Sequence, residues 1–209
     1  MRIGIPLETK LGESRVAATP ETVKKLIAAG HSLIIQSHAG VKASIIDEAF
    51  TAAGATIGSA TEVFNCDIVL KVRAPSDDEL NQMRPGTVLI GMLDPFDSAT
   101  INAMAGKQIT AFALEAAPRT TRAQSMDVLS SQANIAGYKA VMLAANTYQR
   151  FMPMLMTAAG TVKAARVLIL GAGVAGLQAI ATAKRLGAVI EASDVRPAAK
   201  EQIESLGAK

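Results

Sequence analysis

The sequence predicts an α/β fold of two doubly wound lobes joined by a long helix. Short β-type runs alternate with capped helices up to Pro118, an alternation typical of a parallel sheet covered by helices. The stretch 124–150 then has no proline and a single glycine, Gly137, and is predicted to be the helix. A second β–α–β unit begins at Arg166. The predicted domains are an N-terminal lobe 1–123, a connecting helix 124–150 and the start of a second lobe 151–209.

The composition excludes several classes of protein. Of the 209 residues, 50% are hydrophobic and 19% are charged, which is enough apolar surface for a packed core. A net charge of +3 with 3% aromatic residues argues against a nucleic-acid surface. One cysteine and two histidines leave no disulfide framework and too few ligands for a structural zinc. Without a signal peptide or a membrane span, the chain is expected to be cytosolic, and no metal is expected.

Start and stop residues delimit the elements of the first lobe. Thr19 precedes Pro20 and so predicts a helix start, Ser44 predicts the start of a second helix, and Ser76 with Glu79 has the spacing of a capping box. A further short helix is expected over 98–105. The predicted strands are 2–6, 33–36, 67–72, 88–92 and 110–114.

The second lobe opens with a glycine fingerprint. A strand at 167–170 is followed by G-x-G-x-x-G, and a helix over 174–186 comes next. Gly171 permits a tight turn, Gly173 lets a pyrophosphate approach the backbone, and Gly176 lets the helix pack closely on the strand. The exposed N–H groups at the helix start would hold the phosphate charge. The pattern predicts a Rossmann-like dinucleotide site.

An acidic residue stands where such a site needs one. Asp194 ends the next strand, 189–193, and its carboxylate is suited to accept from the hydroxyls of a ribose. It would repel a 2′-phosphate, so NAD is favoured over NADP. The Arg196 guanidinium would instead favour a 2′-phosphate, unless Arg196 contacts the adenosine side or pairs with a nearby carboxylate. The predicted nucleotide contacts of this lobe are Gly171, Gly173, Val174, Gly176, Asp194, Val195 and Arg196.

The second lobe is expected to be incomplete. A full dinucleotide fold needs strands beyond those before Lys209, because the nicotinamide half of the ligand rests on them. The sequence is therefore interpreted as belonging to a longer or split polypeptide.

Three stretches resemble one family of proteins. They are RTTRAQSMDVLSSQANIAGYKAV, MTAAGT and GAGVAGLQAIATAKRLGA, and they resemble the NAD(H)-binding domain of proton-translocating nicotinamide nucleotide transhydrogenases. The opening RIGIPLETKLGESRVAATPETV is similar to that family and to its relative alanine dehydrogenase. The resemblance implies hydride transfer from NADH to NADP⁺ on a partner domain, coupled to proton movement through a membrane domain. It implies a homodimer at the cytoplasmic face of the inner membrane.

The resemblance also implies a second set of site residues. The family's polar loop maps onto Arg119, Gln124 and Asp127, with Ser130 following. Because Gln124, Asp127 and Ser130 recur every third residue, they are expected on one side of a helix start. Asp127 would accept from the nicotinamide amide, Arg119 and Ser130 would donate to its oxygen, and Gln124 would position the ring.

Two alternatives stay open. One is a fragment of an NAD-dependent alanine dehydrogenase, which needs a general acid or base. That family has a lysine and a histidine where this chain has Arg73 and the segment GMLDPFD, so the transhydrogenase is favoured. The other alternative is a nucleotide-binding module without chemistry. Arg15 is predicted to form a structural ion pair, and Lys71 to reach solvent from a strand end.

Overall fold

The computed structural model describes residues 1–209 and divides into two compact units, Met1–Met126 and Asp127–Lys209. None of its helices combines the length and the apolar character needed to cross a bilayer.

The first unit is built on one parallel sheet of six strands in the order β3-β2-β1-β4-β5-β6. The order reverses beside β1, as in a doubly wound fold, so the α/β prediction is confirmed for this unit. The strands are β1 (Arg2–Ile5), β2 (Ser32–Gln36), β3 (Thr56–Gly58), β4 (Ile68–Arg73), β5 (Val88–Met92) and β6 (Thr110–Ala113). The helices are α1 (Pro20–Ala28), α2 (Asp47–Ala52), α3 (Ala60–Phe64), α4 (Asp77–Gln82) and α5 (Ser98–Gly106), and 3₁₀ turns span Val41–Ala43, Leu114–Ala116 and Thr121–Met126.

Two apolar clusters form the core of this unit. One gathers Ile5, Val23 and Phe50, and the other gathers Val69 and Leu89. All five side chains are fully buried, so each contributes about 1.5–3 kcal/mol by leaving water. The sheet is therefore anchored from several strands, and its loops are held in fixed places.

The helix starts follow the sequence closely, with one exception. Thr19 caps α1 by accepting from the Thr22 N–H, and Ser76 and Glu79 form both halves of a capping box on α4. The prediction that Ser44 opens a helix is wrong, because Ser44 has a left-handed backbone (φ 62°) and α2 starts at Asp47. An N-cap needs extended backbone geometry, which Ile46 supplies.

The long helix is shorter than the sequence predicts. It is α6 (Val128–Thr147) rather than 124–150, and it lies in the second unit. Asp127 turns its carboxylate onto the Ser130 N–H and caps the helix, while the residues before it adopt the 3₁₀ turn Thr121–Met126. Capping by Asp127 therefore sets the start that the apolar spacing left undefined.

The second unit packs α6 against the helix of the glycine fingerprint. Its other elements are β7 (Leu155–Thr157), β8 (Gly160–Val162), β9 (Arg166–Leu170), α7 (Val174–Arg185), β10 (Val189–Ser193) and α8 (Ala199–Ser205). β7 and β8 form an antiparallel hairpin, and β9 and β10 are parallel. A Cβ on Gly137 would lie 2.1 Å from the Ala175 carbonyl oxygen. This glycine therefore serves the close approach of α6 and α7.

Candidate functional site

The turn between β9 and α7 has the geometry that its glycines predict. Gly171 has a φ of 93°, and its N–H donates to the Ser193 carbonyl at 2.7 Å. A Cβ on Gly176 would lie 1.8 Å from the Gly171 carbonyl oxygen, so no other residue fits there without moving the helix. The turn is thus folded tightly between the strand and the first turn of α7.

The start of α7 is left open. Gly173 is the N-cap residue, has no side chain to accept from the first helical N–H groups, and has nothing within 4 Å of the position of a Cβ. These N–H groups have no partner inside the helix, and the helix dipole adds partial positive charge at the same point. An uncapped helix start with open space in front of it fits a phosphate group.

Asp194 lies directly beside this turn. Its Oδ2 accepts from the Ala172 N–H at 2.7 Å, and its Oδ1 accepts from the Arg196 N–H at 2.8 Å. The Arg196 guanidinium adds two further bonds, each of 3.0 Å. These donors, chiefly the guanidinium, hold the pKa of the Asp194 carboxyl far below its usual range. The acid is therefore ionised at neutral pH and is tied to the glycine turn.

A cavity adjoins the acid. It has a volume of about 400 Å³ and is lined by Ser193, Asp194, Arg196, Pro197 and Lys200, among others. This volume is within the range of small-molecule sites. Val195, between Asp194 and Arg196 in the chain, is fully exposed, and Val174, at the start of α7, is partly exposed. The predicted residues of the second lobe thus converge on the turn, the acid and the cavity.

The second predicted group is divided between the two units. Asp127 caps α6 and accepts from the Ser130 N–H at 2.9 Å and from its hydroxyl at 2.7 Å. Gln124 is exposed in the 3₁₀ turn of the first unit, and Arg119 is exposed in the loop before it. The structure brings Asp127 and Ser130 into contact, as their spacing predicts.

A buried cluster of charges in the first unit corrects one prediction. Lys71 does not reach solvent: its side chain is 1% exposed, and its Nζ lies 3.0 Å from Glu79 and 3.4 Å from Glu8. Glu8 also accepts from the Val72 N–H at 2.6 Å. The two carboxylates compensate the charge of the buried lysine, so Lys71 does not have to reach water.

Arg15 forms an ion pair, as the sequence predicts. Its guanidinium contacts Glu13 at 2.6 Å, and the Arg73 Nε contacts the same carboxylate at 2.9 Å. Hydrogen bonds from Arg15 are the main cause that lowers the pKa of Glu13 to about 2. The sequence does not reveal that Glu13 is shared, because its second partner Arg73 belongs to a distant strand.

Models of two protein domains match the chain in sequence order. The N-terminal domain of the alanine dehydrogenase/PNT family matches residues 4–136, and the C-terminal domain matches residues 140–209.

Relatives of two kinds resemble the chain to different degrees. The first portion of the split NAD(P) transhydrogenase subunit alpha of Rhodospirillum rubrum is 54% identical over 217 residues, covering 100% of this chain and 56% of the relative. The crystal structure of the transhydrogenase from Sinorhizobium meliloti is 54% identical with a TM-score of 0.98, covering 100% of this chain and 63% of that one. An alanine dehydrogenase of Bilophila wadsworthia is 34% identical over 213 residues, covering 99% of this chain and 55% of the relative.

The chain therefore spans little more than half the length of the curated relatives that it matches. Since the N-terminal domain model alone matches more than half of this chain and the C-terminal one follows it in order, the chain belongs to the alanine dehydrogenase/PNT family.

Proposed function

We propose that this chain is the NAD(H)-binding portion of a proton-translocating transhydrogenase. The observation that carries the proposal is the uncapped glycine turn with an ionised acid beside it. The chain is also markedly more similar to relatives named transhydrogenase than to the relative named alanine dehydrogenase. The reaction is transfer of a hydride from NADH to NADP⁺, which gives NAD⁺ and NADPH.

The residues of the second unit bind the adenosine half. The open N–H groups at Gly173 and Val174 hold the pyrophosphate, and Gly171 and Gly176 keep the turn tight enough for its approach. Asp194 accepts from the adenosine ribose. NAD(H) has a free 2′-hydroxyl where NADP(H) has a phosphate. The negative charge of Asp194 repels that phosphate, so the site selects NAD(H) over NADP(H).

Polar residues between 119 and 130 orient the nicotinamide end of the nucleotide. When bound, the dihydronicotinamide supplies the hydride. Asp127 accepts from its carboxamide N–H, and Gln124 fixes the ring and its ribose. Arg119 donates to the carboxamide oxygen, and Ser130 does so once its hydroxyl turns away from Asp127. Because no proton is exchanged at the reacting carbon, these residues have to align the ring and exclude water, and none has to act as a base.

The chemistry of Arg73 disfavours the alanine dehydrogenase alternative. Arg73 is bound to Glu13 at 2.9 Å, and an arginine stays protonated under all working conditions. The segment 91–97 holds no histidine. A reaction that removes a proton from an amine therefore lacks its base at these positions.

The proposal includes partners beyond this chain. NADP(H) is held on a separate domain or subunit, and a membrane domain couples the transfer to proton movement. The chain acts as a homodimer at the cytoplasmic face of the membrane, peripheral to it through those partners.

The test separates binding from transfer. In the intact complex, Gln124→Asn is expected to slow hydride transfer about tenfold or more, because a shorter side chain misplaces the ring. The dissociation constant for NADH, measured by NADH fluorescence, should stay nearly unchanged. Gln82→Asn, in helix α4, is the matched control and should alter neither quantity.

One result would revise the role of Gln124, and another would overturn the proposal. Equal losses of affinity and rate in Gln124→Asn would remove the transfer role of this residue. Oxidation of L-alanine by NAD⁺ without exchange between the two nucleotides would support the alanine dehydrogenase instead.

A further inference from the structure

The carboxylate of Asp194 has no acceptor position left for a ligand. A carboxylate offers about four lone-pair positions, two on each oxygen. Oδ1 accepts from the Arg196 N–H at 2.8 Å and from its Nε at 3.0 Å. Oδ2 accepts from the Ala172 N–H at 2.7 Å and from the Arg196 Nη2 at 3.0 Å. A ribose that binds to Asp194 therefore has to displace a donor.

The four donors differ in how easily they are displaced. The two N–H groups belong to the backbone of the glycine turn and of the loop after β10, and Ala172 is buried. The long Arg196 side chain is 60% exposed, whereas the Asp194 side chain is 7% exposed. Because the arginine is the exposed partner, water solvates its guanidinium once it leaves, which keeps the cost of breaking this pair small. The guanidinium is thus the donor that a ribose displaces most easily.

We propose that the Arg196 guanidinium is a latch that competes with the ribose hydroxyls for Asp194, an inference that rests on the proposed function. Its release frees one acceptor position on each oxygen, while the two backbone bonds keep the carboxylate in place. Two adjacent hydroxyls of one ribose match two such positions. Arg196 thereby lowers the affinity for NAD(H), and its role in the site is competition as well as contact.

The same latch sets how strongly the site discriminates between the two nucleotides. Asp194 repels a 2′-phosphate, and a released guanidinium beside it offsets some of that repulsion. Removal of the guanidinium is therefore expected to move the two affinities in opposite directions, with tighter NADH and weaker NADPH. A residue that only holds the loop together would move both in the same direction.

The experiment compares dissociation constants in the intact polypeptide. Arg196→Gln is expected to tighten NADH about two- to fivefold, the scale of an exposed ion pair, and to weaken NADPH by a similar factor. Both constants are measured by the fluorescence of the reduced nucleotide. Arg166→Gln is the matched control: it removes the same charge and an exposed ion pair, with Glu191, and should leave both constants unchanged.

A second measurement on the unaltered protein covers the case in which the variant is unstable. With ¹⁵N-labelled arginine, the Nε–H resonance of Arg196 should exchange faster with water after NADH is added, since it leaves Asp194. An unchanged resonance at saturating NADH, or weaker NADH binding by a folded Arg196→Gln, would overturn the latch. Failure of the unaltered protein to bind NADH would instead remove the proposed function itself.

Discussion

Two strand-to-helix connections of the molecule share a topology but leave different chemistry at the helix start. In the first unit, β1 leads to α1 through the long loop 6–19, and Thr19 caps the helix while Pro20 supplies no N–H. In the second unit, β9 leads to α7 through 171–173, and Gly173 provides no cap. Of these two connections, only the second leaves the helix N–H groups available to a phosphate.

The long loop also uses its charged groups internally. Glu8 binds the Val72 N–H and lies near Lys71, and Glu13 holds both Arg15 and Arg73. These pairs tie the loop to the end of β4. In the second unit, Asp194, which binds the 171–173 turn through the Ala172 N–H, is paired with an exposed arginine. The charges beside the first connection are paired with buried or partly buried partners, whereas the latch proposal expects this arginine to be displaced.

The largest expected effect is from Gly176→Ala. A Cβ at 1.8 Å from the Gly171 oxygen forces α7 away from the turn, so the second unit should lose about 3 kcal/mol and NADH binding should disappear. Thermal unfolding and NADH titration measure the two effects. Gly106→Ala, at a position with nothing within 4 Å, should change neither. Full NADH affinity in Gly176→Ala would contradict the tight turn.

The next effect concerns the ion pairs of the long loop. The pKa of Glu13 is lowered from 4.5 to about 2, so its stabilisation is complete above pH 4.5 and is lost as the pH falls towards 2. Glu13→Gln should lower the free energy of unfolding at pH 7 by about 1–2 kcal/mol, a value reduced for the partly exposed arginines. The difference from the unaltered protein should vanish near pH 2.

Urea unfolding from pH 7 to pH 2 checks this prediction. Glu21→Gln is the control: Lys25 also lowers the pKa of Glu21, but this exposed pair is screened by water, so the profile should change much less. A constant difference between Glu13→Gln and the unaltered protein at every pH would show that the carboxylate charge is not what matters.

The smallest effect on stability comes from giving α7 the cap that α1 already has. Gly173→Asp adds an acceptor at an extended N-cap position with free space, so α7 should gain about a few tenths of a kcal/mol. NADH binding should weaken about tenfold or more, because the new carboxylate takes the N–H groups and repels the pyrophosphate.

The reciprocal variant completes the comparison. Thr19→Gly opens the start of α1 and should cost a few tenths of a kcal/mol without creating nucleotide affinity, because the loop before α1 is filled by its own charged side chains. Undiminished NADH affinity in Gly173→Asp would mean that the uncapped helix start is not the phosphate site.

Short-range backbone rules predict much of the fold from the sequence. The strand Val88–Met92, the cap at Thr19 and the capping box at Ser76 are where the spacing of residue types places them. Two helix starts differ from the prediction. Ser44 has the residue type of a cap but a left-handed backbone, and Asp127 caps α6 within a stretch whose apolar spacing is uniform. Helix α3 was missed although Ser59 and Glu62 have capping-box spacing, because it is only one turn long.

Residue order alone predicts the kind of site, because a glycine turn after a strand and an acid at the end of the next strand require only local geometry and chain order. The packed fold shows which donors hold that acid, that Glu13 joins two arginines from different segments, and that Gly137 lies against the backbone of Ala175. These contacts depend on the distance and direction between groups far apart in the chain, which packing fixes and residue order does not.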